Sequence, residues 1–198
     1  DEYPLVRLAS TNATEMSKVL ENSYRAMNIA FIQEWTKFAE GAHVNLFEVI
    51  DAIRMRPTHS NMMFPGLGVG GYCLTKDPLL ASWSSKELFG LENLKLSEIA
   101  VQINDQMPLH TFNIISDFFK GTLHDKTVLI LGVSYLKDVG DTRYTPVELL
   151  YDKLERKKMR IILDDPYLDE WEEKGIKIEK NIDKDYQNID VIIIGVPH

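Results

Sequence analysis

The sequence is poorest in cysteine: one residue, Cys73, among 198. A single thiol excludes an intramolecular disulfide, and it suits a reducing compartment such as the cytoplasm. No apolar run reaches the ~20 residues of a membrane-spanning helix. No basic, then apolar, then small-residue segment opens the chain, so a secretion signal is not expected. Positive charge is short as well, with 22 Lys and Arg against 30 Asp and Glu and a net charge of −8. That balance argues against a nucleic-acid surface, which needs a basic face. Internal repeats and low-complexity stretches are absent, and the glycine that ends TVLILG, Gly132, has no second or third glycine after it at the spacing of the GxGxxG dinucleotide fingerprint. The chain does have apolar material, 44% of its residues, which is enough for a packed core.

The densest chemistry lies in Phe64 to Pro78, FPGLGVGGYCLTKDP. Gly66, Gly68, Gly70 and Gly71 permit positive φ and close backbone approach. Cys73 follows them, and Asp77 lies four residues further on, preceded by Lys76. On the residues alone two readings stand. The stretch is a turn carrying a small buried thiol, or it is a loop that holds an anionic or polyhydroxy ligand beside a nucleophile.

Before it, a helix is expected from about Asn12, with Asn12 and Glu15 at capping-box spacing, to Phe38, stopping at Gly41. Met16, Leu20, Met27, Phe31, Trp35 and Phe38 form one apolar side. Ala26, Ile29, Ala30 and Ile32 add others, as in a helix buried at a subunit interface. Lys18 and Asn22 share a face at i and i+4, which Arg25 extends. Asn45 and Glu48 start a shorter helix to about Met55, which Pro57 ends; Arg54, Arg56 and His59 bring positive or chargeable groups up to the glycine stretch. A helix is expected after Asp77, with Pro78 in its first turn. A long one follows from Leu94 to Phe119, bent at Pro108.

The texture changes near Gly121. TVLILG, MRIILDDP and DVIIIG read as buried strands, with a helix from Pro146 to Lys157 and a weak strand near Gly175 to Ile178. Strands alternating with helices imply a parallel sheet. Ligands in such sheets sit at the carboxyl ends of strands, here Gly132 to Arg143 with Lys137, Asp138, Asp141 and Arg143. The expected architecture is therefore α plus α/β. It has a helical dimerisation domain over 12–120, a Rossmann-like parallel α/β nucleotide-binding half over 121–198, and 1–11 as the tail of a missing domain. The strand-like PLVRLA at the start and the bare strand at the end give the sequence the look of a piece of a longer protein.

Three blocks, EMSKVLENSYRAMNIAF, FPGLGVGGYCLTKDP and LGVSYLKDVGDTRYTP, resemble the nucleotide-sugar 6-dehydrogenases. These are the UDP-glucose and UDP-N-acetylhexosamine dehydrogenases, and the likeness is to their central and C-terminal parts. The resemblance implies oxidation of a sugar C6 alcohol to a carboxylate, with NAD as the acceptor bound mainly by an N-terminal domain not in this sequence. It implies that Cys73 is the nucleophile, that Lys18 and Asn22 stabilise an oxyanion, and that Asp77 handles water. It places Gly68, Gly70, Gly71, Tyr72, Arg56 and His59 on the substrate, Lys137 toward UDP, and Arg143 near the cofactor. A homodimer and a UDP-sugar substrate follow as partners, and these residues alone are not expected to turn over.

The sequence also departs from the family pattern. Tyr72 stands where the glucose type has Ser and the N-acetylhexosamine type His, and Leu136 where many members have a nucleotide-binding lysine. GVGG leans toward an N-acetylated UDP-sugar, while Lys76-Asp77 resembles the glucose type. The alternatives are a UDP-glucose dehydrogenase and a non-catalytic nucleotide-sugar binder.

Overall fold

A computed structural model of the chain describes residues 5–178 and 188–198. Helix α1 (Thr11–Gly41) is the first element. Its N-cap is Ser10, whose hydroxyl accepts the Ala13 N–H at 3.2 Å. The cap is thus two residues earlier than Asn12, which lies inside the first turn; Ser10 does the capping because its oxygen reaches that free donor. No Gly or Pro interrupts the helix before Gly41. Its buried side is mostly small and polar, with Asn22, Ser23, Ala26, Ala30, Gln33 and Ala39 joined by Ile32. Its large apolar residues Met16, Leu20, Phe31, Trp35 and Phe38 are exposed. Residues 5–9 form no strand and are exposed, since nothing among the described residues pairs with them.

Helix α2 (Leu46–Arg54) starts as expected at Asn45, whose side chain accepts from Phe47 N and donates to Glu48. A 3-10 turn, Pro57–His59, follows. Helix α3 (Tyr72–Glu87) begins six residues before the expected start, so Pro78 sits in its interior. The start is fixed by Gly71, at φ 77°, and not by a capping side chain. Helix α4 (Lys95–Phe118) runs as expected, with Pro108 inside. No helix among the described residues is long and apolar enough to cross a membrane.

The second half is a three-stranded parallel sheet in the order β2-β1-β5. Strand β1 (Thr127–Leu131) is central and almost wholly buried, as a strand covered on both faces should be. Helix α5 (Pro146–Arg156) crosses to β2 (Arg160–Asp164), and β5 (Val191–Ile194) lies on the other flank of β1. The weak strand near Gly175 is real but stands outside this sheet. β4 (Ile176–Lys177) pairs antiparallel with β3 (Glu170–Trp171), an element too short to be read from the sequence. Val128, Ile130, Val147, Leu150, Leu154, Leu163 and the fully buried Trp171 make the core, which Ile115 of α4 joins. Helix α4 thereby ties the helical half to the sheet.

Candidate active site

The site is built where α3 packs against α1. Asn22 is buried on α1, and its amide donates to Asp77 Oδ2 at 2.6 Å across 55 residues of sequence. Lys18, one turn earlier, reaches Asn22 Oδ1 at 3.5 Å, a long contact. The Lys18 ammonium is otherwise open, with Glu21 at 3.9 Å and more than half of its side chain exposed. Cys73 lies one turn before Asp77 on α3 and is exposed. At i and i+4 the thiol and the carboxylate share a helix face. The early start of α3 produces this: had the helix begun after Asp77, Cys73 would sit on a loop.

The glycines let this helix start close against the α/β half. Gly71 donates its N–H to Arg143 O at 3.1 Å, and a Cβ on Gly70 would lie 2.5 Å from Tyr135 Cβ. Gly68 lies against Pro108 of α4 and Pro146 of α5. Gln33 of α1 donates to Gly66 O at 3.0 Å, so the stretch is also pinned to the central helix.

The next face of α3 looks another way. Tyr72 and Lys76, with Asn104, Asp105, Tyr144 and Asp152, line a cleft of about 600 Å³ between α3, α4 and the start of α5. Tyr72 stacks edge-on against Tyr144 at 4.8 Å, and the Arg143 guanidinium lies 5.2 Å above its ring. Arg143 is clamped by both oxygens of Asp141, Oδ1 accepting from Nε and Oδ2 from Nη2. That bond is the main cause holding Asp141 below the usual carboxylate range, and it raises Arg143 in turn. Burial pushes Asp105 up.

The predicted residues therefore fall into separate places. Lys18, Asn22, Asp77 and Cys73 come together. Tyr72 and Arg143 meet on the neighbouring face. Arg56 and His59 are exposed and do not line the cleft; the His59 ring contacts the Thr58 hydroxyl at 2.8 Å. Lys137 is exposed, and among the described residues it has no hydrogen-bond or ion-pair partner.

The sequence reading missed a buried carboxylate, Asp165, with no exposure at all. One oxygen accepts from Val133 N at 2.8 Å, Ser134 N at 3.0 Å and Ser134 Oγ at 2.9 Å. The other accepts from Tyr167 N at 2.9 Å. Burial alone would raise this carboxyl, but those donors together outweigh it and hold it below the ordinary range. His198 contacts it through Nε2 at 3.2 Å. The available signal was position: Asp165 follows β2 and His198 follows β5, the two strands that flank β1.

Comparison with known proteins agrees with this architecture. A sequence model described as "UDP-glucose/GDP-mannose dehydrogenase family, central domain" matches residues 12–106. The same family's "UDP binding domain" matches residues 129–198. The UDP-N-acetyl-D-mannosamine dehydrogenase of Methanococcus aeolicus is 33% identical over 193 residues, which is 96% of this chain and 41% of that protein. The enzyme of the same description from Methanocaldococcus jannaschii is also 33% identical, covering 98% of this chain and 42% of its own length. The chain thus spans about two fifths of the curated relatives it matches. Among solved structures, the NDP-N-acetyl-D-galactosaminuronic acid dehydrogenase of Methanosarcina mazei superposes with a TM-score of 0.83 at 28% identity, over 96% of this chain and 42% of that one. With both parts of the family matched in order and the fold reproduced, the chain belongs to the UDP-glucose/GDP-mannose dehydrogenase family, as its central and UDP-binding domains.

Proposed function

We propose that this chain is the sugar-handling part of an NAD-dependent UDP-sugar 6-dehydrogenase, with a central domain over 12–120 and a UDP-binding domain over 121–198. The observation that carries the reading is the hydrogen bond of 2.6 Å between Asn22 and Asp77. It joins the α1 cation to the α3 helix that presents an exposed thiol one turn away. A thiol, a lysine, an amide and a carboxylate held across two helices have the parts needed for covalent oxidation of an aldehyde.

Cys73, as thiolate, adds to the C6 aldehyde and forms a carbon–sulfur bond. Lys18 and the Asn22 amide face the oxyanion that develops, and one such donor contributes roughly 3 kcal/mol. At the thioester stage Asp77 orients water or takes its proton, the water oxygen bonds to C6, and the Cys73 thiolate leaves. When bound, NAD would accept one of the two hydrides lost by C6, and a second NAD, taking its place, would accept the other. The loop after β1 has no glycine fingerprint for it; the group here suited to an anionic cofactor is Arg143, exposed beside Tyr72 and fixed by Asp141. The rest of the full-length protein would hold NAD.

The substrate is read as an N-acetylated UDP-hexosamine, because the relatives at 33% identity are UDP-N-acetyl-D-mannosamine dehydrogenases. UDP-glucose is the alternative, favoured by the Lys76-Asp77 pair. The full-length enzyme with Cys73→Ser tests the chemistry. We expect it to fail to complete the acid, since an alkoxide is a poorer nucleophile and leaving group than a thiolate. Normal uronate production by that variant would remove Cys73 from its role and leave a nucleotide-sugar binder.

A further inference from the structure

The loop after β1 is gripped from both sides, at its start and at its tip. Asp165, from the end of β2, takes the N–H groups of Val133 and Ser134 and the Ser134 hydroxyl on a single oxygen. His198, just past β5, bridges that oxygen to the tip of the loop: its Nε2 lies 3.2 Å from Asp165 Oδ2, and its Nδ1 accepts the Asp138 N–H at 3.1 Å. The two partners settle the tautomer. Nδ1 faces a donor and must carry the lone pair, so Nε2 carries the hydrogen that points at the carboxylate. The ring is nearly covered, with 7% of its side chain exposed. Tyr167, 5.0 Å from the ring, gives its hydroxyl to Asp138 Oδ1 at 3.2 Å.

What is gripped has little internal support. Leu136 to Gly140 are all exposed, and Asp138 sits at φ 59°, in the left-handed region. Among the described residues the Asp138 N–H is the one main-chain donor from Leu136 to Gly140 that has a partner. Lys137 lies between the two gripped points, next to that amide.

We propose that Asp165 and His198 are positioning residues. They touch no ligand; they hold the Val133–Asp138 segment so that Lys137 is presented to the phosphates of a nucleoside diphosphate. This rests on the reading of the loop as the UDP-facing one.

Amide hydrogen exchange and UDP calorimetry on the chain with His198→Ala and His198→Gln test it. Glutamine keeps an acceptor and a donor flanking one carbon, as the ring does. Loss of one hydrogen bond corresponds to roughly a tenfold effect. With alanine, the Asp138 amide is expected to exchange about tenfold faster and UDP to bind about tenfold more weakly. Glutamine should restore both, and exchange in α1 and α4 should not move. Unchanged Asp138 exchange with alanine overturns the grip. Faster exchange with undiminished UDP affinity overturns its role in positioning. Acceleration across α1 and α4 as well, without rescue by glutamine, shows a merely structural histidine and also overturns it. If the parent chain binds no UDP, the nucleotide reading of the loop fails, and the Asp138 exchange still decides the grip.

Discussion

At the scale of single residues, Lys137 stands apart, with no hydrogen-bond or ion-pair partner among the described residues: an exposed ammonium beside a fixed turn, able to act as a point charge toward phosphate. Lys137→Ala should weaken UDP binding by roughly tenfold or more in a titration, the worth of one charge-assisted contact. An unchanged affinity would mean that this lysine points to water. Asp165 makes a different prediction, about acid. Its folded carboxyl lies below the usual range, so the stability it contributes is present above the unfolded value of about 3.9 and is lost as pH falls through the folded one. Asp141 and Asp190 shift the same way, whereas Asp105 and Asp164, raised by burial, shift in the opposite sense. The denaturant midpoint should therefore fall as the pH drops below about 4, and Asp165→Asn should flatten that fall. A midpoint that holds steady in acid would contradict the burial and bonding of Asp165.

At the scale of elements, the legible parts were those with long periodicity or side-chain caps. Helices α2, α4 and α5 and the three parallel strands announce themselves through Asn45, the length of the 95–118 pattern, Pro146 and the TVLIL run. Helix α3 did not, because its start is a glycine with no capping oxygen, and Pro78 imitated a first-turn residue. The β3–β4 ribbon is too short to have a period. Within the proposed site, Lys18, Asn22, Cys73 and Asp77 were visible as residues through the family resemblance. The bond from Asn22 to Asp77, and the hold of Asp165 on the β1 loop, depend on which strands and helices become neighbours, which spacing does not give. Gly132 shows how tight the strand–loop junction is: φ is 84°, and a Cβ there would run into the Val196 main chain. Gly132→Ala should cost more than the ~1–3 kcal/mol of left-handed strain alone, read as a lower unfolding midpoint. A midpoint near the parent's would mean that the β1–β5 ends sit further apart than described.

At the scale of the whole molecule, the outer side of α1 carries an exposed apolar stripe. Phe31, Trp35 and Phe38 form a chain of ring contacts at 6.0 and 5.5 Å, all three exposed, with Met16 and Leu20 further along. A stripe of this kind suits a second copy of the chain. We expect a homodimer of micromolar or tighter affinity, burying the ~1,200 Å² or more of a specific interface; sedimentation giving a monomer at those concentrations would exclude it. The order of strands has a consequence of another kind, in time. Synthesis delivers β1, α5 and β2 by Asp164, so one flank of the central strand is paired as soon as that residue is clear of the ribosome. The other flank waits for Val191–Ile194. A nascent chain, or one cut short before Asp190, therefore holds out a bare edge of TVLIL, and the open backbone of such an edge recruits whatever strand it meets first.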